Sequence, residues 1–442
     1  MHYDLIVRNA RIATATGAIK EGDLACLGSR IEKIGPQIFA GASEQIDAHG
    51  LLLLPGVIDP QVHFREPGAC HKEDLASGSK AAVRGGVTSF LEMPNTRPAT
   101  TSQQQLDQKL LLAATKSVAN YGFFIGATTN NLKEINTATP ICGIKIFMGA
   151  STGDLLIDQH ADLERIFANG QRLIAVHAED EQRIQTRKAH YLRDPNPDIS
   201  LHSVIRDPKC ALLATTLAVE LSEKYQRRLH ILHLSTALEV DYLRRHKPAW
   251  VTAEVIPNHL LLNTADYAQL GSLVQMNPPI REPSDNGALW QGLHDGVIDF
   301  IATDHAPHTL HEKQQPYPNS PSGMPGVETS LPLLLTEMQA GHCKLQEVLK
   351  WLSAGPAIAY NIINKGRIEE GFDADLTLVD MEHFHPVRNE DVVSRAGWSP
   401  YVGHSLTGWP QYTIVNGRII YEKGRIHPGR LGKALCFNHA EE

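Results

Sequence analysis

The sequence predicts an α/β protein: a (β/α)8 TIM barrel carrying a small β-sandwich formed from the N- and C-terminal segments. Two observations point to the barrel. Eight short apolar segments lie between residues 57 and 303, and helical patterns fall between them, the rhythm of a parallel sheet built from βα units. A third observation points to the sandwich, because both ends of the chain read as short strands separated by Gly-containing turns.

In chain order, Leu5–Val7, Ile31–Ile34 and Gln45–Ile46 are the strand-like pieces of the first end. They are too few to stand alone. Ala374–Val379 and Thr413–Val415 mirror them, and Asn416-Gly417 before Arg418–Tyr421 is a strong hairpin signal. Pairing of the two ends assigns residues 1–52 and 369–442 to the sandwich and 53–368 to the barrel. The eight barrel strands are read at Val57–His63, Val87–Met93, Tyr121–Ala127, Ile144–Met148, Arg172–Ala178, Leu229–Ser235, Trp250–Ile256 and Asp299–Thr303. Helical patterns include Gln103–Ala119, Ala211–Tyr225 and Ala237–Arg245. Two connections, Glu179–Pro208 and His305–Val327, are longer than barrel loops need to be, and the second is expected to close over substrate.

Composition narrows the function. The 442 residues carry 41 Lys and Arg against 49 Asp and Glu, a net charge of -8 that argues against a nucleic-acid surface. Six cysteines lie far apart with no CxxC pair, so neither a disulfide framework nor a thiolate zinc site is expected. The N-terminus lacks a signal-peptide pattern and no apolar run is long enough for a membrane span, so the expected location is the cytoplasm.

The chemistry gathers at strand ends. In DPQVHFREPG (Asp59–Gly68), strand alternation puts Gln61, His63 and Arg65 on one face. Lys145 follows on the fourth strand, His177 on the fifth, His233 on the sixth and Asp304 after the eighth. All five of the candidate metal residues, His63, Lys145, His177, His233 and Asp304, belong to the C-terminal rim where barrel enzymes keep their chemistry. Each alone reads as a salt-bridged lysine, a hydrogen-bonded core histidine or a helix cap; together on one rim they read as a site. Three imidazoles and a carboxylate suit zinc and similar divalent ions, whereas a lysine ammonium would repel them. Lys145 must therefore be absent from the cluster or be converted, by reaction with CO2, into an anionic carbamate.

These residues resemble the amidohydrolase superfamily, and within it the cyclic amidohydrolases: dihydroorotases, hydantoinases and allantoinases. HFREPG (His63–Gly68), EMPNTRP (Glu92–Pro98), KIFMGASTG (Lys145–Gly153), EVIPNHLLL (Glu254–Leu262), MNPPIR (Met276–Arg281) and ATDHAPH (Ala302–His308) are most similar to dihydroorotases. GFDADLTLVD (Gly371–Asp380) and SPYVGHSLTG (Ser399–Gly408) extend the resemblance over nearly the whole chain. It implies interconversion of N-carbamoyl-L-aspartate and (S)-dihydroorotate in pyrimidine biosynthesis, with zinc, one or two per chain, and a carbamylated Lys145. It further implies that Asp304 is both ligand and base, that Arg65 and Asn95 hold the substrate carboxylate, and that Asn277 and His308 complete the pocket. A homodimer and an association with aspartate carbamoyltransferase are the implied assemblies. Hydantoinase-like relatives carry a Tyr shortly after the bridging lysine, which KIFMGAST lacks; allantoinase is the nearer alternative.

One position departs from the pattern. Gln61 stands where most of the family has the first His of a His-x-His pair, and an amide oxygen is a weaker zinc ligand than imidazole. The metal position beside Gln61 is therefore expected to be the weaker. The departure also admits an inactive homologue serving as a structural partner of aspartate carbamoyltransferase.

Overall fold

The computed structural model of the protein describes residues 2–150 and 155–439. Eight parallel strands form the central sheet: β6 (Val57–Val62), β7 (Val87–Glu92), β8 (Asn120–Gly126), β9 (Gly143–Phe147), β10 (Ile174–His177), β11 (Leu229–Ile231), β12 (Val251–Val255) and β13 (Phe300–Ile301), each paired with its sequence neighbour. A parallel bridge from Val62 to His305 joins the two ends of the sheet into a ring, with the His63 N–H donating to the His305 carbonyl at 2.8 Å. Nearly every residue of these strands is buried, the continuous apolar pattern of a sheet covered on both faces.

The helices start where local chemistry starts them. Asp74, Ser102, Asp207 and Thr236 accept backbone N–H bonds as N-caps of Leu75–Arg84, Gln103–Lys116, Pro208–Tyr225 and Ala237–His246. Pro208 begins its helix three residues before the apolar pattern at Ala211 becomes visible, because its missing N–H costs nothing in the first turn. The second helix ends at Lys116, short of Ala119, since Ser117 turns extended and the Val118 N–H goes to Ser79 Oγ at 3.1 Å.

Strands β1 (His2–Ala13), β2 (Ile19–Leu27), β3 (Arg30–Gly35), β4 (Gly41–Asp47) and β5 (Leu52–Pro55) come from one end of the chain. With β14 (Leu376–Asp380), β17 (Trp409–Val415), β18 (Arg418–Glu422) and β19 (Arg425–Ile426) they form a nine-stranded sheet, β5 pairing antiparallel with β14. A separate two-stranded ladder, β15 (His385–Pro386) with β16 (Ser405–Leu406), lies between β14 and β17 in sequence. No helix among the described residues is long and apolar enough to cross a membrane.

Asp375, buried just before β14, ties this sheet to the barrel. Its carboxylate accepts the Asn416 N–H at 2.7 Å and the Asn120 side-chain amide of β8 at 3.0 Å, and it pairs with buried Lys365. Removing it leaves a buried ammonium with only Asp373 beside it, at 2.9 Å. Breaking a buried pair from one side costs about 3 kcal/mol. Asp375→Ala is thus expected to lower unfolding free energy by about that amount in urea titration, and Asp375→Asn, which keeps an acceptor, by less.

Candidate active site

The rim residues occupy unusual backbone. Arg65, His233 and Asp304 lie in the left-handed region at φ of 62°, 37° and 46°, conformations that non-glycine residues adopt at a cost. The consequence is visible in the strands. β11 stops at Ile231 and β13 at Ile301, each two or three residues before His233 or Asp304, where a run to Ser235 and Thr303 is expected from the apolar pattern. The reversal re-aims both side chains off the ladder.

Asp304 meets two residues of the first strand segment. Its Oδ1 lies 3.0 Å from His63 Nε2 and accepts the Gln61 Nε2–H at 3.1 Å. On the other ring edge, His63 Nδ1 is 2.8 Å from Asn95 Oδ1. Across the rim, His177 Nδ1 faces His233 Nε2 at 3.1 Å while His177 Nε2 bonds Glu179 Oε2 at 2.9 Å. Glu179 is in turn gripped by Arg206, buried like itself.

Burial lowers His63, His177 and His233 from the ordinary imidazole range, which favours their neutral forms. Lys145 is 1% exposed, and burial pushes its ammonium down to about 7 against the opposing charges of Asp304 and Glu254. Its charge acts on all three imidazoles, which makes it their common neighbour. Among the described residues it has no ion-pair partner; its Nζ sits 4.5 Å from the Phe147 ring centre.

The donor types, imidazole and carboxylate, are those a divalent metal takes. A His63 Nδ1–H given to Asn95 leaves the Nε2 lone pair aimed at a carboxylate oxygen, and a His177 Nε2–H given to Glu179 leaves Nδ1 aimed at a second imidazole nitrogen. At His63 two acceptors face each other and need a shared cation, proton or metal, whereas His177 Nδ1 can accept the Nε2–H of a neutral His233, which leaves His233 Nδ1 as the open lone pair. His233 Nδ1 is also buried without a hydrogen-bond partner among the described residues. The donors stand as two pairs, and among the described residues no three or more His, Cys, Asp or Glu side chains are placed so as to hold a metal ion together.

Beside this cluster lies a cationic group. Arg65 is buried, its Nε donating to the Pro307 carbonyl at 3.2 Å and its Nη2 lying 3.2 Å from His308 Nε2. Lys72 Nζ donates to His308 Nδ1 at 3.0 Å and pairs with Glu312 at 3.1 Å. Burial, then the nearby Arg65, Lys72 and Lys313, drives His308 far below the imidazole range. Asn277 joins neither group: its Oδ1 accepts from His202 Nε2 at 3.0 Å, and it lines a cavity of about 270 Å³ with His202, Arg206 and Ser322.

Sequence reasoning missed Glu179, Arg206, Lys72 and His202. Only Glu179 had a legible signal, two residues beyond His177. Residues 151–153 of the KIFMGASTG stretch lie outside the described residues. Gln61 presents its amide nitrogen to Asp304. The long connections are folded rather than loose. Glu179–Pro208 contains helices Glu181–Tyr191 and Leu201–Ile205. His305–Val327 is pinned by buried Lys313, whose Nζ donates to the carbonyls of Gln275, Pro321 and Gly323 at 3.0, 2.9 and 3.0 Å.

A barrel with imidazole, carboxylate and lysine groups on its C-terminal rim defines a class that comparison makes explicit. The model of the amidohydrolase family matches residues 52–189 and 227–420, and the chain belongs to that family. Within it, the chain is similar to dihydroorotases: that of Methanosarcina acetivorans is 36% identical, covering 97% of this chain and 94% of the relative. That of Methanosarcina mazei is 37% identical, covering 98% and 97%. Among solved structures, L-hydantoinase (dihydropyrimidinase) from Arthrobacter aurescens superposes with a TM-score of 0.91 at 28% identity, covering 96% of this chain and 97% of that one.

Glu179 yields a test of the electrostatics. Burial alone would raise its carboxyl, but Arg206 and His177 outweigh burial and hold it well below the carboxylate range. A depressed carboxyl contributes stability above its unfolded pKa of about 4.3, and the contribution is lost as pH falls toward the folded value. Thermal midpoints measured from pH 7 down to pH 3 should therefore fall more steeply for wild type than for Glu179→Gln. Parallel curves would remove Glu179 from the linkage.

Proposed function

We propose that the protein interconverts N-carbamoyl-L-aspartate and (S)-dihydroorotate by opening and closing a cyclic amide, a step of de novo pyrimidine synthesis. The observation that carries this reading is buried Arg65, an anion receptor placed on the same strand-end as His63, whose ring meets Asp304. The dihydroorotase names of full-length relatives support it.

His63, His177, His233, Asp304 and a carbamylated Lys145 would hold zinc, which when bound activates water and polarises the amide carbonyl. Asp304 takes a proton from the attacking water and delivers it to the ring nitrogen as the carbon–nitrogen bond breaks and the carbon–oxygen bond forms. In the closing direction it returns the proton. Arg65 binds the substrate carboxylate through guanidinium hydrogens that Pro307 does not use. Asn95 serves the same carboxylate and also orients His63, and His308 borders it beside Arg65; Asn277 lies with His202 in a separate cavity, outside this step. Neutral His308, accepting from Lys72, leaves the positive charge beside it for the substrate.

The test is turnover of dihydroorotate in both directions, with hydantoin and allantoin as controls. Arg65→Ala should lower kcat/KM for dihydroorotate by roughly 100-fold, the upper end of what a hydrogen bond between two charged groups is worth, with the fold retained. Hydrolysis of hydantoin or allantoin but not dihydroorotate would overturn the assignment. Carbamylation of Lys145 is tested separately. Lys145→Ala should lose both metal and activity and regain part of them with short carboxylic acids. Metal-stripped wild type should recover faster when zinc is returned with bicarbonate than without it, and equal recovery would count against the carbamate.

A further inference from the structure

The first strand and the segment after the eighth are joined by three successive rungs. Asp59 takes the first, accepting the Thr303 N–H at 3.1 Å and the Thr303 hydroxyl at 2.5 Å. The His63 backbone makes the third with His305 at 2.8 Å. Between them, Gln61 Nε2 donates to Asp304 Oδ1 at 3.1 Å. Gln61 is itself fixed, 2% exposed, with its N–H on Asp59 Oδ1 at 3.2 Å. Asp304, at φ 46°, needs such neighbours to hold it in a left-handed conformation.

The direction of the amide follows from the carboxylate. Turning it over would set Gln61 Oε1 against Asp304 Oδ1, two acceptors in contact, so the N–H face is the one Asp304 selects. An amide nitrogen has no lone pair free for a metal. We propose that Gln61 is a positioning residue for Asp304 and not a metal ligand, so that the donors on that side are His63, Asp304 and Lys145 alone. The unpartnered Gln61 Oε1 is the atom a rival ligand role would have to use, and it leaves the two roles separable by experiment. This inference rests on the reading of Asp304 as the proton carrier.

The decisive measurement is zinc per chain, by elemental analysis after loading and dialysis, for wild type, Gln61→Leu and Gln61→Met, with kcat and KM measured on the same preparations. Two variants guard against one failing to fold. A positioning role keeps zinc per chain at the wild-type value and KM unchanged while kcat falls roughly tenfold, the loss of one hydrogen bond to a charged group. Loss of zinc from both apolar variants would overturn the inference, as would unchanged kcat or a change confined to KM. If wild type fails to turn over dihydroorotate, the functional reading falls, and zinc content still decides whether Gln61 is a ligand.

Discussion

The barrel closes where its first strand meets the residues after its eighth, and the candidate chemistry depends on that seam. A backbone bond between His63 and His305 and the Asp59 carboxylate on Thr303 fix the chain on both sides of Asp304. Only then can a left-handed aspartate face His63 rather than relax into the strand. The strain at Asp304 is thus offset by bonds formed across 242 to 244 residues of sequence. A site assembled this way is as rigid as the ring itself, which is what orientation-dependent proton transfer requires.

Charge is distributed unequally around the rim. Arg206 and Glu179 neutralise each other in a buried pair whose outward effect is to fix one face of His177. Lys145 receives no such partner among the described residues, and burial weakens its proton's hold. A buried amine near neutrality is a competent nucleophile toward CO2, whereas a salt-bridged ammonium is not. The same low-dielectric setting favours the neutral form of the imidazoles, which is able to donate electron pairs.

The connection after the eighth strand is organised from inside by Lys313 and at its base by His305, whose Nδ1 accepts the Gly326 and Val327 N–H groups at 3.1 and 3.3 Å. His308 hangs from this frame, with its carbonyl accepting the Trp398 indole N–H at 2.8 Å and its Nε2 against the Ser322 carbonyl at 3.0 Å. The length that suggests a lid in the sequence belongs to a folded segment with bonds of its own. This segment sets Arg65 beside His308, away from bulk water, where its charge is screened least.

The sequence by itself determined the order of the barrel strands, the helix starts after Ser102 and Thr236, and the set of polar residues that no core would accept. Those are local properties, since alternation, capping and the placing of a His at the end of an apolar run are written in neighbouring residues. The family motifs were legible for the same reason. Only the tertiary structure decided that β11 and β13 break before His233 and Asp304, that the connection after the eighth strand is pinned from inside by Lys313, and that Glu179 and Arg206 stand behind His177. It also decided that Gln61 turns its amide nitrogen to Asp304. An amide carries a donor and an acceptor on the same carbon, and nothing in the local sequence chooses between them; the choice belongs to a carboxylate brought there by closure of the ring.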